Sequence, residues 1–321
     1  MLTADEIRGL YAIVPTPAKP GSDHWSATDT VDVDETVRMV DRLITDGADA
    51  IIALGTTGEC ATLTDAEWRT FADAMVSTAA GRVPTIVGAT ALGTHQTIER
   101  LRFLQEIGAT GTMLGLPMWQ PCTEDMAVKF YASVAEAVPD LAVMVYMNAR
   151  AFRFDFPLTF WERVAREAPN VTSAKYTNAP PYDECVKVTG GKINFLPVDM
   201  IAAPMAEANP DAVTACWSTG ASMGPQPAIA LIDAILAKDW EKAKAVHADI
   251  DWATETFMPA DRAQFAFYNI QIEKLRMTGA GYCTPGPLRP PYDLVPEEYQ
   301  QGAFECARRW RELCTKYAGV R

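Results

Sequence analysis

The sequence predicts a closed (β/α)8 TIM barrel followed by a C-terminal helical extension. Short apolar runs of strand length alternate with longer amphipathic runs of helix length from the N-terminus to about residue 240. Eight such units in about 240 residues favour a barrel over an open doubly wound sheet, which is the alternative architecture. No G-x-G-x-x-G motif follows the first predicted strand, which argues against a dinucleotide-binding site in either architecture.

The predicted strands are short and apolar, and turn residues separate them from the helices. They cover residues 11–15, 50–55, 85–89, 111–116, 141–148, 171–177, 193–198 and 213–218. The predicted helices between them cover residues 34–46, 65–80, 94–107, 124–138, 158–167 and 227–238. Gly47 and Gly108 follow two of these helices, at the position where glycine ends a helix. Thr64 precedes Glu67 with the spacing of a capping box.

Residues beyond 240 read as helices again, which predicts a barrel at 1–240 and an extension at 241–321. The three helices of the extension are predicted at 240–256, 263–278 and 297–317. The segment 285–296 contains too many prolines to continue a helix. No shift in composition marks an independent second domain, so we expect the extension to pack on the barrel as part of one structural unit.

The composition excludes several classes of function. The chain has 321 residues, a net charge of -13, seven cysteines and three histidines. The negative charge argues against nucleic acid and anionic membranes as partners, and no apolar run is long enough to span a bilayer. The N-terminus does not read as a signal peptide. The cysteines are odd in number, scattered and never spaced as C-x-x-C, which predicts reduced thiols in a cytoplasmic protein. We expect chemistry without a metal ion and without a histidine base.

Lys175 is the first candidate for chemistry. It lies in the predicted strand 171–177, which Asn178 and the residues after it close, on a face of small and apolar side chains. Burial of an ammonium ion is costly, so it favours the neutral amine, the form that attacks a carbonyl. The other nine lysines lie in helical or polar contexts, where a solvated charge is expected. A buried structural lysine paired to a carboxylate is the open alternative.

The ends of the other predicted strands supply polar groups at the same edge of the barrel. The motif Gly55-Thr56-Thr57-Gly58-Glu59 is a tight turn whose N–H groups and hydroxyls are suited to a carboxylate. An ordinary capping loop is the alternative.

Two further strand ends carry large or polar side chains. Tyr146 and Asn148 fall on one strand face, where a phenol can shuttle a proton and an amide can orient water. Trp217 lies in the last strand, where an indole can wall an aromatic pocket. The alternatives are a core tyrosine and simple core packing.

Taken in order, the motif at 55–59, the tyrosine of the fifth strand and the lysine of the sixth resemble the dihydrodipicolinate synthase / N-acetylneuraminate lyase family. The resemblance runs from about Ala12 to about residue 280. This family comprises class I pyruvate-dependent lyases and aldolases on (β/α)8 barrels. The resemblance implies that Lys175 forms an imine with a pyruvyl keto group, without any external cofactor, in a homotetramer.

Within the family, residues 58–68 and 151–157 resemble the hydratase-aldolases. These enzymes cleave aromatic benzylidenepyruvates, such as o-hydroxybenzylidenepyruvate or 2'-carboxybenzalpyruvate, to an aromatic aldehyde and pyruvate. The resemblance implies that Thr56 and Thr57, with N–H groups of the Gly55 loop, bind the pyruvyl carboxylate. It also implies that Tyr146 is the acid/base. Asn148 is then expected to position the attacking water, and Trp217 to line the ring pocket.

Three further residues are candidates for contact with the substrate. The Arg150 guanidinium is suited to pair with a carboxylate on the ring, and the alternative is a surface arginine. Asn269 and Gln271 are expected to reach the pocket from a C-terminal helix, and a solvated helix face is their alternative. The sequence departs from the family where Tyr146-Met147-Asn148-Ala149 lacks the usual proline. It also has Trp119 where the synthases place an aromatic residue donated by a neighbouring subunit.

Two other functions compete with this hypothesis. A synthase or sugar-acid lyase of the same family needs polar groups for hydroxyls or a second anion, whereas Trp119, Met147, Phe152 and Trp217 predict an apolar site. A non-catalytic barrel that binds 2-oxo acids is the alternative from another class of protein. A turnover assay separates these classes.

Overall fold

The computed structural model describes residues 1–177, 180–259 and 261–319. Its described residues hold one sheet of eight strands in the order β7-β6-β5-β4-β3-β2-β1-β8, with parallel neighbours. The strands are β1 (Gly9–Ile13), β2 (Ala50–Ala53), β3 (Thr85–Gly88), β4 (Gly111–Leu114), β5 (Ala142–Tyr146), β6 (Val171–Lys175), β7 (Asn194–Leu196) and β8 (Ala215–Ser218). A single parallel bridge from Val198 to Trp217 joins the two ends of the sheet. The predicted (β/α)8 barrel is confirmed.

Helices surround the sheet and continue beyond it. The first eight are α1 (Val33–Thr45), α2 (Asp65–Ala79), α3 (Thr94–Glu106), α4 (Glu124–Ala137), α5 (Ala149–Phe152), α6 (Leu158–Glu167), α7 (Tyr182–Thr189) and α8 (Asp199–Ala208). After them come α9 (Gln226–Leu236), α10 (Trp240–Thr254), α11 (Phe265–Ala280) and α12 (Glu297–Lys316). The Thr64–Glu67 capping box is present, and both Gly47 and Gly108 adopt positive φ after their helices.

The prediction differs from the structure in element ends and in three short helices. The first strand begins at Gly9, two residues before the predicted start, and the fifth and sixth strands end earlier than predicted. The short helices α5, α7 and α8 were not among the predicted helices. They span four to ten residues, and Pro204 lies inside α8, so none shows a long amphipathic repeat. Asn178, expected to close the sixth strand, lies outside the described residues.

Strand register determines which side chains meet at one edge of the barrel. In the parallel pair β5 and β6, Tyr146 is the register partner of Lys175, and each is the last residue of its strand. Lys175 therefore lies at the end of its strand, which stops two residues before the predicted end at residue 177. In the pair β1 and β8, Tyr11 is the register partner of Trp217. Since register partners share a face, Tyr146 and Lys175 point to the same side of the sheet.

The helices after residue 240 pack on the barrel. Helix α10 packs against α8 and α9, and α12 packs against α9, α10 and α11. The buried Trp310 of α12 donates its indole N–H to the Gly224 carbonyl, 2.9 Å away. This packing supports a single structural unit, and the division at residue 240 stays a prediction. Within the described ranges, no helix combines the length and the hydropathy that crossing a bilayer requires.

Candidate active site

Lys175 is a buried lysine whose amine lies against two aromatic rings. Its side chain is 7% exposed, and its Nζ lies 3.3 Å from the centre of the Trp217 ring and 5.0 Å from that of Tyr146. Burial lowers the pKa of the Lys175 amine to about 7, and the Glu273 carboxylate opposes this shift. No ion pair joins Lys175 to a carboxylate among the described residues. A substantial fraction of this amine is therefore neutral near pH 7.

Tyr146 holds its phenol between a threonine hydroxyl and an amide. The phenol oxygen lies 2.9 Å from the Thr56 Oγ1, and the Asn148 Nδ2 donates to it over 3.4 Å. Burial raises the pKa of the Tyr146 phenol, and these two hydrogen bonds oppose the rise. The Phe152 ring contacts the phenol edge-on, with ring centres 5.4 Å apart. The phenol is thus protonated and fixed in orientation beside the Lys175 amine.

The loop at 55–59 is a tight turn, as the sequence predicts. A Cβ at Gly58 would lie 2.7 Å from the backbone nitrogen of Leu54, so the chain requires glycine there. The Thr16 hydroxyl donates to the Gly58 carbonyl over 2.7 Å, and Glu59 adopts positive φ. A Cβ at Gly55 would lie 2.7 Å from the Met113 Cε, so Gly55 allows close packing under the turn. The loop is therefore rigid.

The two threonines of this loop differ in their surroundings. Thr56 lines the cavity described below, next to Tyr146. Thr57 is buried and does not belong to the lining of that cavity. Of the predicted pair, only Thr56 therefore presents its side chain to the site.

Asn148 differs from its predicted position. It lies beyond the end of β5, and its side chain accepts a hydrogen bond from the Ala151 N–H over 3.1 Å, which caps α5. The expectation that it lies on a strand face with Tyr146 is therefore wrong. It still lines the cavity, because the capped turn points its Nδ2 toward Tyr146. Where the family has a proline, Ala149 begins α5 instead.

Trp217 both packs in the barrel and lines the site. Its indole N–H donates to the Tyr176 carbonyl over 3.1 Å, which fixes the ring plane beside Lys175. The side chain is 9% exposed and forms part of the cavity wall. The two predicted alternatives, core packing and a pocket wall, therefore both describe this residue.

These groups surround a cavity of about 720 Å³ at the C-terminal ends of the strands. Its larger apolar side chains belong to Met147, Val198, Trp217, Met258 and Phe265. A smaller compartment of about 190 Å³ lies on the other side of Thr56 and Tyr146, and its lining includes Leu54, Cys60, Met118, Phe152 and Ile270. This volume lies within the usual range of small-molecule sites, and the wall suits an aromatic ring.

The remaining candidates are Arg150, Asn269 and Gln271, and only the first two line the cavity. Arg150 is exposed and lines the cavity, with no ion-pair partner in the described part of the chain. Asn269 also lines it, and its side-chain oxygen is buried without a hydrogen-bond partner among the described residues. Gln271 is buried, donates to the Leu294 carbonyl over 3.0 Å, and does not line the cavity. The structure therefore does not bring Gln271 to the site, and its buried position also excludes a solvated helix face.

Sequence reasoning missed several residues of this region. Met258 and Phe265 line the cavity from the C-terminal extension, and no local pattern distinguishes them from core residues. Lys274 is fully buried and paired with Glu59, so the expectation that every lysine other than Lys175 is solvated is wrong. A mid-helix lysine gives no signal of burial when its partner lies far along the sequence. Among residues 1–177, 180–259 and 261–319, no cluster of three His, Cys, Asp or Glu side chains is placed to hold a metal ion.

Comparison with known proteins agrees with this arrangement. The profile of the dihydrodipicolinate synthetase family matches residues 23–301. The chain is 45% identical to trans-O-hydroxybenzylidenepyruvate hydratase-aldolase from Pseudomonas putida, over 99% of this chain and 97% of that protein. It is 40% identical to trans-2'-carboxybenzalpyruvate hydratase-aldolase from Nocardioides sp. strain KP7, over 99% of this chain and 97% of the relative.

A solved structure, PhdJ bound to substrate intermediate, is similar over almost the whole length. It superposes with a TM-score of 0.96 at 37% identity and covers 99% of both chains. The similarity extends through the barrel and the helices beyond residue 240. With a family profile that matches most of the sequence and relatives that match nearly all of it, the chain belongs to the dihydrodipicolinate synthetase family.

Proposed function

We propose that this chain is a hydratase-aldolase that cleaves aromatic benzylidenepyruvates through an imine on Lys175. The observation that carries the proposal is the buried Lys175 amine, with its pKa lowered to about 7, in register with the Tyr146 phenol. A neutral amine beside a fixed phenol is the pair that imine formation and proton transfer require. The chain shares its family and its overall fold with enzymes named for this activity.

In the proposed reaction, the neutral Lys175 amine attacks the keto carbon, the resulting hydroxyl takes a proton from solvent and leaves as water, and the iminium is conjugated with the alkene. Water held by Asn148 then adds to the carbon that carries the ring and releases one proton to solvent, while the Tyr146 phenol gives its own proton to the neighbouring carbon. The Tyr146 phenolate then acts as base and removes the proton of the new hydroxyl. The carbon–carbon bond breaks, which releases the aromatic aldehyde and leaves an enamine. Tyr146 gives this proton to the enamine carbon, and hydrolysis frees pyruvate and Lys175 and returns a proton to the phenolate. No external cofactor takes part in this proposal.

In the proposal, contacts at both ends of the substrate, the pyruvyl carboxylate and the aromatic ring, determine its orientation. The pyruvyl carboxylate in this proposal lies on the loop of Thr56 and Thr57 and accepts hydrogen bonds from N–H groups of the turn. The ring lies against Trp217 and Phe265 in the cavity. The relatives are named for hydroxy- and carboxy-substituted rings, and Arg150 at the cavity rim is the group that would favour a ring carboxylate.

A synthase or sugar-acid lyase of the same family is the second candidate. Polyhydroxylated substrates need polar partners along their whole length, whereas one wall of this cavity is formed by five large apolar side chains. The curated relatives at 40–45% identity are hydratase-aldolases, while a 4-hydroxy-tetrahydrodipicolinate synthase is 30% identical. A non-catalytic barrel that binds 2-oxo acids remains the third candidate, and turnover of a benzylidenepyruvate would reject it.

We also propose that the chain forms a cytoplasmic homotetramer. The large apolar side chains of Leu92, Trp119 and Met126 are exposed on the segments that follow β3 and β4, and in the proposal they contribute to a subunit contact. All seven cysteines are free, which suits a reducing compartment. Light scattering after size-exclusion chromatography measures the assembly, and a monomer across micromolar concentrations would contradict it.

Imine trapping tests the proposed function. Borohydride reduction in the presence of pyruvate should add the mass of a reduced pyruvyl group to one peptide, the one that contains Lys175. Lys175→Met should abolish both the label and turnover, a loss on the order of 10⁴-fold or more. The matched control is Lys274→Met, which removes the other buried lysine and should keep the label on Lys175. A label elsewhere, or none in the native chain, would reject the mechanism.

A further inference from the structure

A buried ionic cluster lies directly behind the loop that carries Thr56 and Thr57. Glu59 is fully buried, and its Oε2 accepts from the Lys274 Nζ over 2.7 Å and from the Arg289 Nη1 over 2.8 Å. Its Oε1 accepts from the Arg289 backbone N–H over 2.9 Å. Neither cation reaches solvent, since Lys274 is 1% exposed and Arg289 is 2% exposed. The proposed reaction uses none of these three groups.

A second carboxylate, that of Glu67, is linked to the cluster through the hydroxyl of Thr30. The Arg289 Nε donates to the Thr30 Oγ1 over 2.8 Å, and that hydroxyl donates to a carboxylate oxygen of Glu67 over 2.6 Å. Glu67 and Glu59 therefore match the charges of Lys274 and Arg289. A buried cluster of this kind contributes little net stability compared with apolar side chains, but it fixes geometry tightly. We therefore expect the cluster to affect the position of the 55–59 loop more than the stability of the fold.

Backbone contacts connect the cluster to the loop. The Glu59 N–H donates to the Thr56 carbonyl over 3.0 Å, and the Cys60 N–H donates to the Gly55 carbonyl over 3.3 Å. Glu59 thus closes the turn with its main chain and attaches the turn to two distant segments with its side chain. Thr56 in turn holds the Tyr146 phenol. A change at Glu59 therefore reaches the phenol through a single intervening residue.

The partners of Glu59 both come from beyond residue 240. Lys274 lies on α11, the helix that contributes Phe265 and Asn269 to the cavity wall. Its Nζ also donates to the Pro287 carbonyl over 2.7 Å, in the proline-rich segment that contains Arg289. The cluster therefore joins three parts of the site: the loop, the cavity wall of α11, and the segment after it.

We propose that Glu59, Lys274 and Arg289 are positioning residues that set the carboxylate-binding geometry of the Thr56–Thr57 loop. The C-terminal extension then completes the active site, because it holds from behind the turn that receives the pyruvyl carboxylate. This inference rests on the proposed function, in which that loop binds the carboxylate. Loss of the cluster shifts the loop while the Lys175 amine stays in its strand.

Discrimination between two ketones tests the inference. Pyruvate carries the carboxylate and acetone lacks it, so the ratio of their borohydride-trapping rates on Lys175 reports carboxylate binding. Glu59→Gln keeps the shape of the side chain and removes its charge, and it should lower this ratio by about tenfold or more. The pH midpoint of trapping with acetone should stay unchanged, because the burial that lowers the Lys175 pKa comes from its strand and from Trp217, which the cluster does not contact. A general loss of folding would instead slow both ketones alike.

Two further variants keep the test decisive if Glu59→Gln does not fold. Arg289→Lys keeps a cation beside Glu59 but loses the bonds to Thr30, and it should lower the ratio in the same direction. Asn194→Ala is the matched control, because it removes a half-buried hydrogen-bonding side chain at the other end of the barrel, and the ratio should stay within about twofold of the native value.

The outcomes separate the two proposals. A native chain that is not labelled by pyruvate at Lys175 rejects the proposed function and this inference together. A native chain that is labelled, with an unchanged ratio in Glu59→Gln or, where that variant does not fold, in Arg289→Lys, rejects only the role of the cluster.

Discussion

Two buried lysines in this chain have opposite surroundings. Lys175 faces the rings of Trp217 and Tyr146 and forms no ion pair within the described part of the chain, whereas Lys274 donates to the Glu59 carboxylate and to a backbone carbonyl. Burial lowers the pKa of both amines, but at Lys274 the Glu59 charge and hydrogen bond oppose the shift. Burial alone therefore does not make a nucleophile. The absence of a counter-charge at Lys175 is what leaves its amine available to react.

The largest expected effect is on stability. Replacing each of the two buried lysines by methionine should change the free energy of unfolding in opposite directions. The pKa of folded Lys175 is about 7, below its ordinary value of 10.5, so the unfolded chain binds more protons between these pH values and stability rises with pH across that window. Lys175→Met removes this cost and should raise the free energy of unfolding at pH 7 by on the order of 3–4 kcal/mol. The gain should shrink as the pH approaches 10.5.

The matched substitution is Lys274→Met, which leaves the buried Glu59 with one cation fewer. It should lower the free energy of unfolding by about 3 kcal/mol, because an under-compensated charge remains in the interior. Urea unfolding of both variants at pH 7 measures the pair. If both substitutions shift stability in the same direction, the comparison between the two lysines is wrong.

The next largest effect concerns Tyr146, whose ring lies beside the Lys175 amine. Tyr146→Phe keeps the ring and removes the proton-transfer group, so turnover of a benzylidenepyruvate should fall by about 10²–10⁴-fold. Imine formation with pyruvate should fall much less, because the Lys175 amine is unchanged. Single-turnover kinetics and borohydride trapping measure the two steps separately. A uniform loss in both would mean that the phenol acts mainly by shaping the pocket.

The pH dependence of imine formation sharpens the comparison further. Only the neutral amine attacks, so the rate of trapping with pyruvate should rise with pH and reach its plateau above the Lys175 pKa of about 7. Borohydride trapping that is quenched at fixed times, at pH values from about 5 to about 9, measures this profile. A profile that still rises steeply near pH 9 would show that Lys175 is charged at neutral pH, as an ordinary lysine is.

The smallest expected effect is at Arg150, the exposed cation of the cavity rim. Arg150→Ala should lower kcat/KM for 2'-carboxybenzalpyruvate by about tenfold, since an exposed ion pair contributes at most about 1 kcal/mol and a bidentate one somewhat more. For o-hydroxybenzylidenepyruvate the loss should be within about twofold. Parallel assays on the two substrates measure the difference. Equal losses would assign Arg150 no role in recognising the ring substituent.

The barrel and the central pair of the site could be predicted because their signals are local. Strand and helix patterns repeat along the chain, and the carboxyl ends of parallel strands must meet at one edge, which brought Lys175, Tyr146 and the 55–59 loop together. The positions of Asn148 and Gln271 were missed because they depend on turn geometry. A four-residue helix after β5 redirects Asn148, and the path of residues 285–296 determines the partner of Gln271.

The ionic cluster could not be predicted for a different reason. Glu59 and Lys274 are separated by 215 positions, and neither residue lies in a local pattern that indicates burial. Glu59 reads as the end of a polar loop, and Lys274 reads as an exposed helix position. Only the docking of α11 against the loop brings the two charges into contact. A contact between residues so far apart in the sequence can be recognised in the folded structure, but local sequence patterns do not predict it.

The pairing of Tyr146 with Lys175 across β5 and β6 has a consequence for how this scaffold changes. The spacing between nucleophile and acid is fixed by main-chain hydrogen bonds of the sheet, so exchanges in rim segments that do not contact the phenol leave it untouched. The 55–59 loop and the turn at Asn148 do contact the phenol and must stay as they are. Engineers who wish to redirect the selectivity of this barrel can alter the other rim segments and keep the strands and these two connections.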